Sequence, residues 1–291
     1  MAVFDSVKEL LEAAKESGLP LWECVMLASA KESGIDRELS WSKMALRLEA
    51  MQHADACYDP ALRSNSGLSG GDGDKMRQSY ESGASISGGF IGEILSAALR
   101  MGECNACMHR IVAAPTAGSC GVIPAVLLPY GKHFGKSDDE LIKALYVTAG
   151  FGAVIANRAS ISGAEAGCQA EIGSASAMAA AALVFLHGGS SEQMAHAAAI
   201  ALKNMMGLAC DPVAGLVEVP CVKRNAAGAM NALTAAELAL AGIESRIPAD
   251  EVIDAMRAVG ESMPAALRET GLGGIAASPT AVKFKKDFFG K

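Results

Sequence analysis

Residues 137–158 read SDDELIKALYVTAGFGAVIANR, and this stretch decides the fold class. Ser137-Asp-Asp-Glu140 is a capping box: the serine oxygen accepts a free first-turn amide, and the glutamate reaches back to the N–H of the cap. Leu141, Leu145 and Val154 then keep helical spacing. Ser190-Ser-Glu-Gln193 repeats the device before a helix expected over 194–208. Working outward, Val3, Phe4, Val7, Leu10, Leu11 and Ala14 share one face of a first helix. Ser40 is expected to cap a helix that carries Trp41, Met44, Ala45, Leu48 and Met51 on one side. A further helix is expected over 90–101, after a Gly88-Gly89 break. Pro248, with Asp250 and Glu251 beside it, opens another through Met256. Alternating β-branched runs with hairpin turns are nearly absent. The fold class is therefore all-α, with ten or more helices. No linker or fixed-period repeat divides the chain. Residues 1–291 are expected to form a single helical domain, with N-terminal helices in 1–60 and a ligand-binding core in 61–291.

The composition suits closely packed helices. Of the 291 residues 51% are hydrophobic, but only 5% are aromatic and 20% charged, so the apolar mass is mostly small side chains. A chain of this length buries a sizeable core. The formal charge of −7 argues against a nucleic-acid partner. The one short basic cluster, Lys283, Lys285 and Lys286, reads as a solvated chain end.

Two uncharged stretches, 111–131 and 172–191, need weighing as membrane spans. The first holds Pro115, Pro124 and Pro129. The second holds Ser174, Ser176 and His187, leaving an apolar core too short to span. Both read as buried segments of a soluble protein. The N-terminal MAVFDSVKELLEAAKESG carries acids in an amphipathic pattern, unlike a signal or transit peptide. The cytoplasm is the expected compartment.

The loops are more telling. SNSGLSGGDGD (64–74), APTAGSCG (114–121), SISGAEAGCQAEIG (160–173), CDPVAGLVEVPC (210–221) and ETGLGGIAASPT (269–280) are rich in glycine, which lets backbone approach a ligand closely. They are read as converging on one site.

Several motifs have plainer explanations. Cys104-x-x-Cys107 has zinc-like spacing, but no second pair accompanies it, and His109 is too close to complete a usual site. Two buried or half-buried thiols at a helix end explain it better. Ser40-x-x-Lys43 matches a serine–lysine nucleophile pattern, yet its context is that of a cap. SGGDGDK lacks Walker spacing, and neither GxGxxG nor HExxH is present. Asp72 and Asp74 read as a solvated acidic loop rather than a cation site.

The chain has eight cysteines, and with no export signal they are not expected to form disulfides. Cys168 follows Gly167 among small residues. Cys210 is placed at a helix end before Asp211-Pro212, and Cys221 follows Pro220 just before a helix. Thiolates at such positions could share an iron–sulfur cluster. From spacing alone, three inert thiols are the more economical reading.

Three runs change that balance. SISGAEAGCQAEIG (160–173), CDPVAGLVEVPC (210–221) and KRNA (223–226) resemble the iron–sulfur L-serine dehydratases. APTAGSCGVIPAVL (114–127) and RETGLGGIA (268–276) are similar to the same family, in the same order.

The resemblance implies a [4Fe–4S] cluster held by Cys168, Cys210 and Cys221, with one iron left open. That iron would act as a Lewis acid on the serine hydroxyl. L-serine would be deaminated to pyruvate and ammonia without pyridoxal phosphate. Thr116 and Ser119, Ser160, Ser162 and Glu165, and Arg224 and Asn225 are candidate substrate-binding or supporting residues, though each could equally be structural. No residue stands out as the base for the Cα proton, although His53, His109 and Lys75 are available. The chain resembles the alpha subunit of the two-chain form. It is expected to work with a separate beta chain of the ACT-like regulatory kind, in an oligomer. It ends Phe288-Phe289-Gly290-Lys291, without the terminal cysteine of some relatives. A cluster-dependent L-cysteine desulfidase is the nearest alternative, and a non-catalytic iron–sulfur sensor subunit is the other.

Overall fold

The computed structural model describes residues 4–290. Among them are thirteen α-helices and no strand, which bears out the all-α expectation. The helices are α1 (Val7–Ser17), α2 (Leu21–Glu32), α3 (Arg37–Ala56), α4 (Asp72–Glu81), α5 (Gly88–Ala106), α6 (Val122–Phe134) and α7 (Asp138–Arg158). They continue with α8 (Gly163–Ala166), α9 (Ser174–Leu186), α10 (Ser191–Met205), α11 (Cys221–Leu240), α12 (Ala249–Ser262) and α13 (Pro279–Phe289). A π turn over Gln169–Gly173 runs directly into α9.

Helix α9 is the axis of the molecule. Its sequence SASAMAAAALVFL is buried at every position but one, Phe185. Alanine and serine let α6, α7, α10 and α11 pack closely against it. One of its buried hydroxyls is paired across the helices: Ser176 Oγ donates to Gly228 O at 3.0 Å and accepts from Asn231 Nδ2 at 2.7 Å. The segment Gln169–Leu186 is apolar enough by composition to cross a membrane, but 89% of it is buried inside the protein. One continuous core runs from Phe4 to Met256, and α2 and α3 pack on α7 rather than forming a separate layer.

Both capping boxes form, at Ser137 and at Ser190. Other boundaries differ from expectation. Asp36, not Ser40, caps α3; Ser40 lies inside the helix, where its hydroxyl meets Tyr146 Oη at 2.8 Å. The Gly88-Gly89 pair is the entry turn of a helix that extends to Ala106. Helix α10 stops at Met205, because Gly207 turns the chain at φ +83°. Cys210 is therefore not at a helix end. It lies in extended backbone, paired in parallel with Arg268. Asp72 already belongs to α4, which shortens the first glycine-rich loop. Val3, assigned to the first helix face, lies outside the described residues.

Candidate active site

Three segments that are distant in sequence bring Cys168, Cys210 and Cys221 together. Cys168 follows α8 at the start of the π turn, and Cys221 is the first residue of α11. Their exposures are 2%, 3% and 7%, so water is largely excluded from all three thiols. Burial pushes Cys221 up to about 12, helped by the neighbouring Cys168 and Glu171. Burial and Glu171 push Cys168 to about 11, while the nearby Arg224 guanidinium pulls it back down. Cys210 is raised as well, first by burial and then by Cys168, Glu171, Glu269 and Cys221. The helix N-terminus at Cys221 favours a thiolate, but here desolvation wins.

Glu171 lies among the thiols. Its Oε2 is 3.8 Å from Cys210 Sγ, and its Oε1 accepts a 2.7 Å hydrogen bond from Thr116 Oγ1. Burial raises its pKa, against the lowering effect of the Thr116 bond. Gly163 keeps this space open: a β-carbon there would come within 2.6 Å of Glu171 Oε2 and 2.9 Å of Cys210 Sγ.

The donor set fits an iron–sulfur cube better than a single ion. Among the described residues no three side chains converge on one metal position. A cube needs no such convergence, because each cysteine binds a separate iron. Cys168 raises the pKa of both Cys210 and Cys221, and three thiols this close are groups that a cationic core would hold as thiolates. Cys168, Cys210 and Cys221 would be its ligands.

Polar contacts lock the segments around the thiols. Asp211 pairs with Arg224 Nη2 at 2.9 Å and accepts from Ile275 N at 2.7 Å, tying the 210–221 loop to the 269–280 loop. Arg224 Nη1 donates to Ala209 O at 2.6 Å. Buried Glu218 accepts from Ser64 Oγ at 2.6 Å and Ser66 Oγ at 2.8 Å, which fastens the first glycine-rich loop. Asn225 accepts from Gly121 N at 2.8 Å and donates to Gly118 O and Cys221 O, each at 2.9 Å. All five loops noted in the sequence are thus connected to one region.

The residues named from sequence divide by their contacts. Thr116 meets Glu171, and Ser119 Oγ lies 3.1 Å from Thr116 Oγ1 within the same turn. Arg224 and Asn225 stand beside the thiols, with their polar groups engaged by protein. Ser160 Oγ donates to Glu165 Oε2 at 2.6 Å and accepts from Ser162 N at 3.0 Å, so this trio organises the entry to α8. Glu165 is exposed. None of the spare bases is attached to the thiols: His53 Nε2 lies 3.4 Å from Cys57 Sγ, Lys75 pairs with Asp72, and His109 borders a small cavity with Cys104 and Cys107. Cys104 Sγ donates to Ala54 O at 3.5 Å, and burial pushes it up to about 12.

Glu171 and Asp211 were not singled out from sequence. A signal for Glu171 existed: it is the only Asp, Glu, Lys or Arg between Glu165 and Glu192. A charge inside an otherwise apolar stretch needs a reason. Cavity size is no guide here. A cavity of about 740 Å³ between α1, α10 and residues 244–251 contains none of the thiols.

A family model described as serine dehydratase alpha chain matches residues 16–276. A Bacillus subtilis protein named probable L-serine dehydratase, alpha chain, is 49% identical over 288 residues, covering 99% of this chain and 96% of that protein. The L-serine dehydratase alpha chain of Peptoniphilus asaccharolyticus is 43% identical over 289 residues, covering 98% of each. The Escherichia coli protein named L-serine dehydratase 1 is 37% identical over 283 residues, which are 94% of this chain but 61% of that protein.

Proposed function

The chain belongs to the serine dehydratase alpha-chain family, and from that premise we propose that it deaminates L-serine to pyruvate and ammonia. The observation that carries this reading is the gathering of three buried thiols from three segments around one half-buried carboxyl.

Cys168, Cys210 and Cys221 would hold a [4Fe–4S] cluster. When bound, that cluster supplies a Lewis acid toward the substrate hydroxyl through an iron that no protein side chain ligates. The chain's own residues supply the rest. Thr116 fixes Glu171 Oε1, leaving Oε2 facing the thiols. Burial lets Glu171 keep its proton to higher pH than an exposed glutamate, so it can deliver a proton to the departing hydroxyl. Asn225 holds the 118–121 turn in place through its paired amide bonds. The buried setting excludes water and strengthens each of these interactions. Among the described residues no side chain is placed as the Cα base, and we assign that role to a separate beta chain of ACT-like regulatory kind. A site of this chemistry suits a reducing compartment, the cytoplasm.

The test is pyruvate release from L-serine by anaerobically iron–sulfide-reconstituted chain, with and without the beta chain. Cys168→Ala, Cys210→Ala and Cys221→Ala should each abolish cluster loading and turnover, and Cys104→Ala should keep both. A loaded complex that gives no pyruvate would sink the reading, and L-cysteine would be the next substrate.

A further inference from the structure

The Nε of Arg268 is buried and has no hydrogen-bond partner among the described residues. A cationic donor removed from water without an acceptor is unfavourable unless something else occupies the space beside it. Arg268 makes no ion pair among the described residues. Its Nη1 alone is engaged, donating to Glu165 O at 3.4 Å. The Nε/Nη2 edge is left free, and this is the edge with which a guanidinium grips a carboxylate side-on. Arg158 of this same chain shows the grip: its Nε and Nη2 reach the two carboxylate oxygens of Asp254 at 3.2 and 2.6 Å.

The position of Arg268 is as informative as its free edge. Cys210 N donates to Leu267 O at 2.8 Å, and Glu269 N donates to Cys210 O at 2.7 Å. This pattern pairs Cys210 with Arg268, and paired residues of a parallel bridge point their side chains to the same face. The next residue, Glu269, is held in the left-handed region at φ +61°. Backbone strain of that kind persists where the surroundings enforce it, and it concentrates at ligand clamps. Arg224, the other arginine of the site, already has its charge answered by Asp211.

We propose that the Nε/Nη2 edge of Arg268 is the anchor for the substrate carboxylate, held beside Cys210. The assignment rests on the amino-acid substrate proposed above and adds the residue that recognises its acid group. Arg268 touches substrate, and the Glu165 carbonyl orients it.

The experiment is steady-state kinetics of the cluster-loaded enzyme with its beta chain, comparing wild type, Arg268→Lys and Arg268→Ala at matched iron and sulfide content. Losing a charge-assisted pair should raise KM for L-serine roughly 10- to 150-fold in Arg268→Ala. Arg268→Lys should recover part of that loss, and kcat should change much less than KM. L-Alanine, which keeps the carboxylate, should lose potency as an inhibitor in Arg268→Ala by a factor similar to the KM change. An unchanged KM with normal cluster content would overturn the assignment. So would a loss of iron and sulfide in Arg268→Lys and Arg268→Ala, which would make the residue structural. Absence of pyruvate from the wild-type holoenzyme would overturn the serine reading and this assignment with it.

Discussion

Asn225 uses its whole carboxamide inside the protein, with one bond accepted and two donated. Asn225→Ala would leave the Gly121 amide and two carbonyls without these bonds, and it should destabilise the chain by roughly 1–3 kcal/mol. Thermal unfolding of the metal-free protein measures this; a smaller loss would mean that water replaces the amide. The buried thiols away from the proposed ligand set make a second residue-scale prediction. Burial pushes Cys120 from the usual 9.0 to about 12. A folded pKa above the unfolded one contributes stability that is full below pH 9 and is lost as pH rises through about 12. Cys120→Ala removes that term. The stability gap between wild type and variant should therefore narrow above pH 9 in denaturant titrations; a constant gap would contradict the buried-thiol assignment. At this scale the proposed ligand cysteines were legible only through motif resemblance. Glu171 and Asn225 illustrate why: their roles depend on partners 55 and 104 positions away in the chain.

Helix boundaries were readable where the signal is local. The Ser137 and Ser190 boxes involve atoms within three residues, and both formed. Ser137→Ala should cost about 0.5–2 kcal/mol, seen as a lower melting temperature with unaltered cluster loading. Ser40 misled because its serine-before-apolar pattern resembles a cap, whereas its hydroxyl is needed by Tyr146 on another helix. The turn before Cys168 shows the strongest local demand. Gly167 sits at φ +75°, and a β-carbon there would come within 2.6 Å of Met263 Sδ and 2.8 Å of Leu208 O. Gly167→Ala should displace Cys168 and reduce iron incorporation severely, as measured by iron and sulfide content after reconstitution; normal incorporation would show that the turn can yield.

At the scale of the whole molecule, the core is continuous from Phe4 to Met256, and α9 is enclosed by its neighbours. Most of that packing is between Ala, Leu, Val and Ile side chains, which bind no metal. Removing the proposed cluster with oxygen or a chelator should therefore end the proposed pyruvate release while far-ultraviolet ellipticity stays near its starting value. A collapse of helicity on metal loss would instead make the cluster a structural element of the fold.

The sequence by itself determined the fold class, the two capped helices and the family, because capping, 3.6-residue periodicity and uninterrupted cysteine motifs are local properties. Only the tertiary structure decided that Glu171 stands among the thiols, that Cys210 lies in extended backbone beside Arg268, and that Arg268 Nε is unpaired among the described residues. Burial and hydrogen-bond partners are set by segments that meet in space after folding, and spacing along one chain does not encode which polar atom is left without a partner.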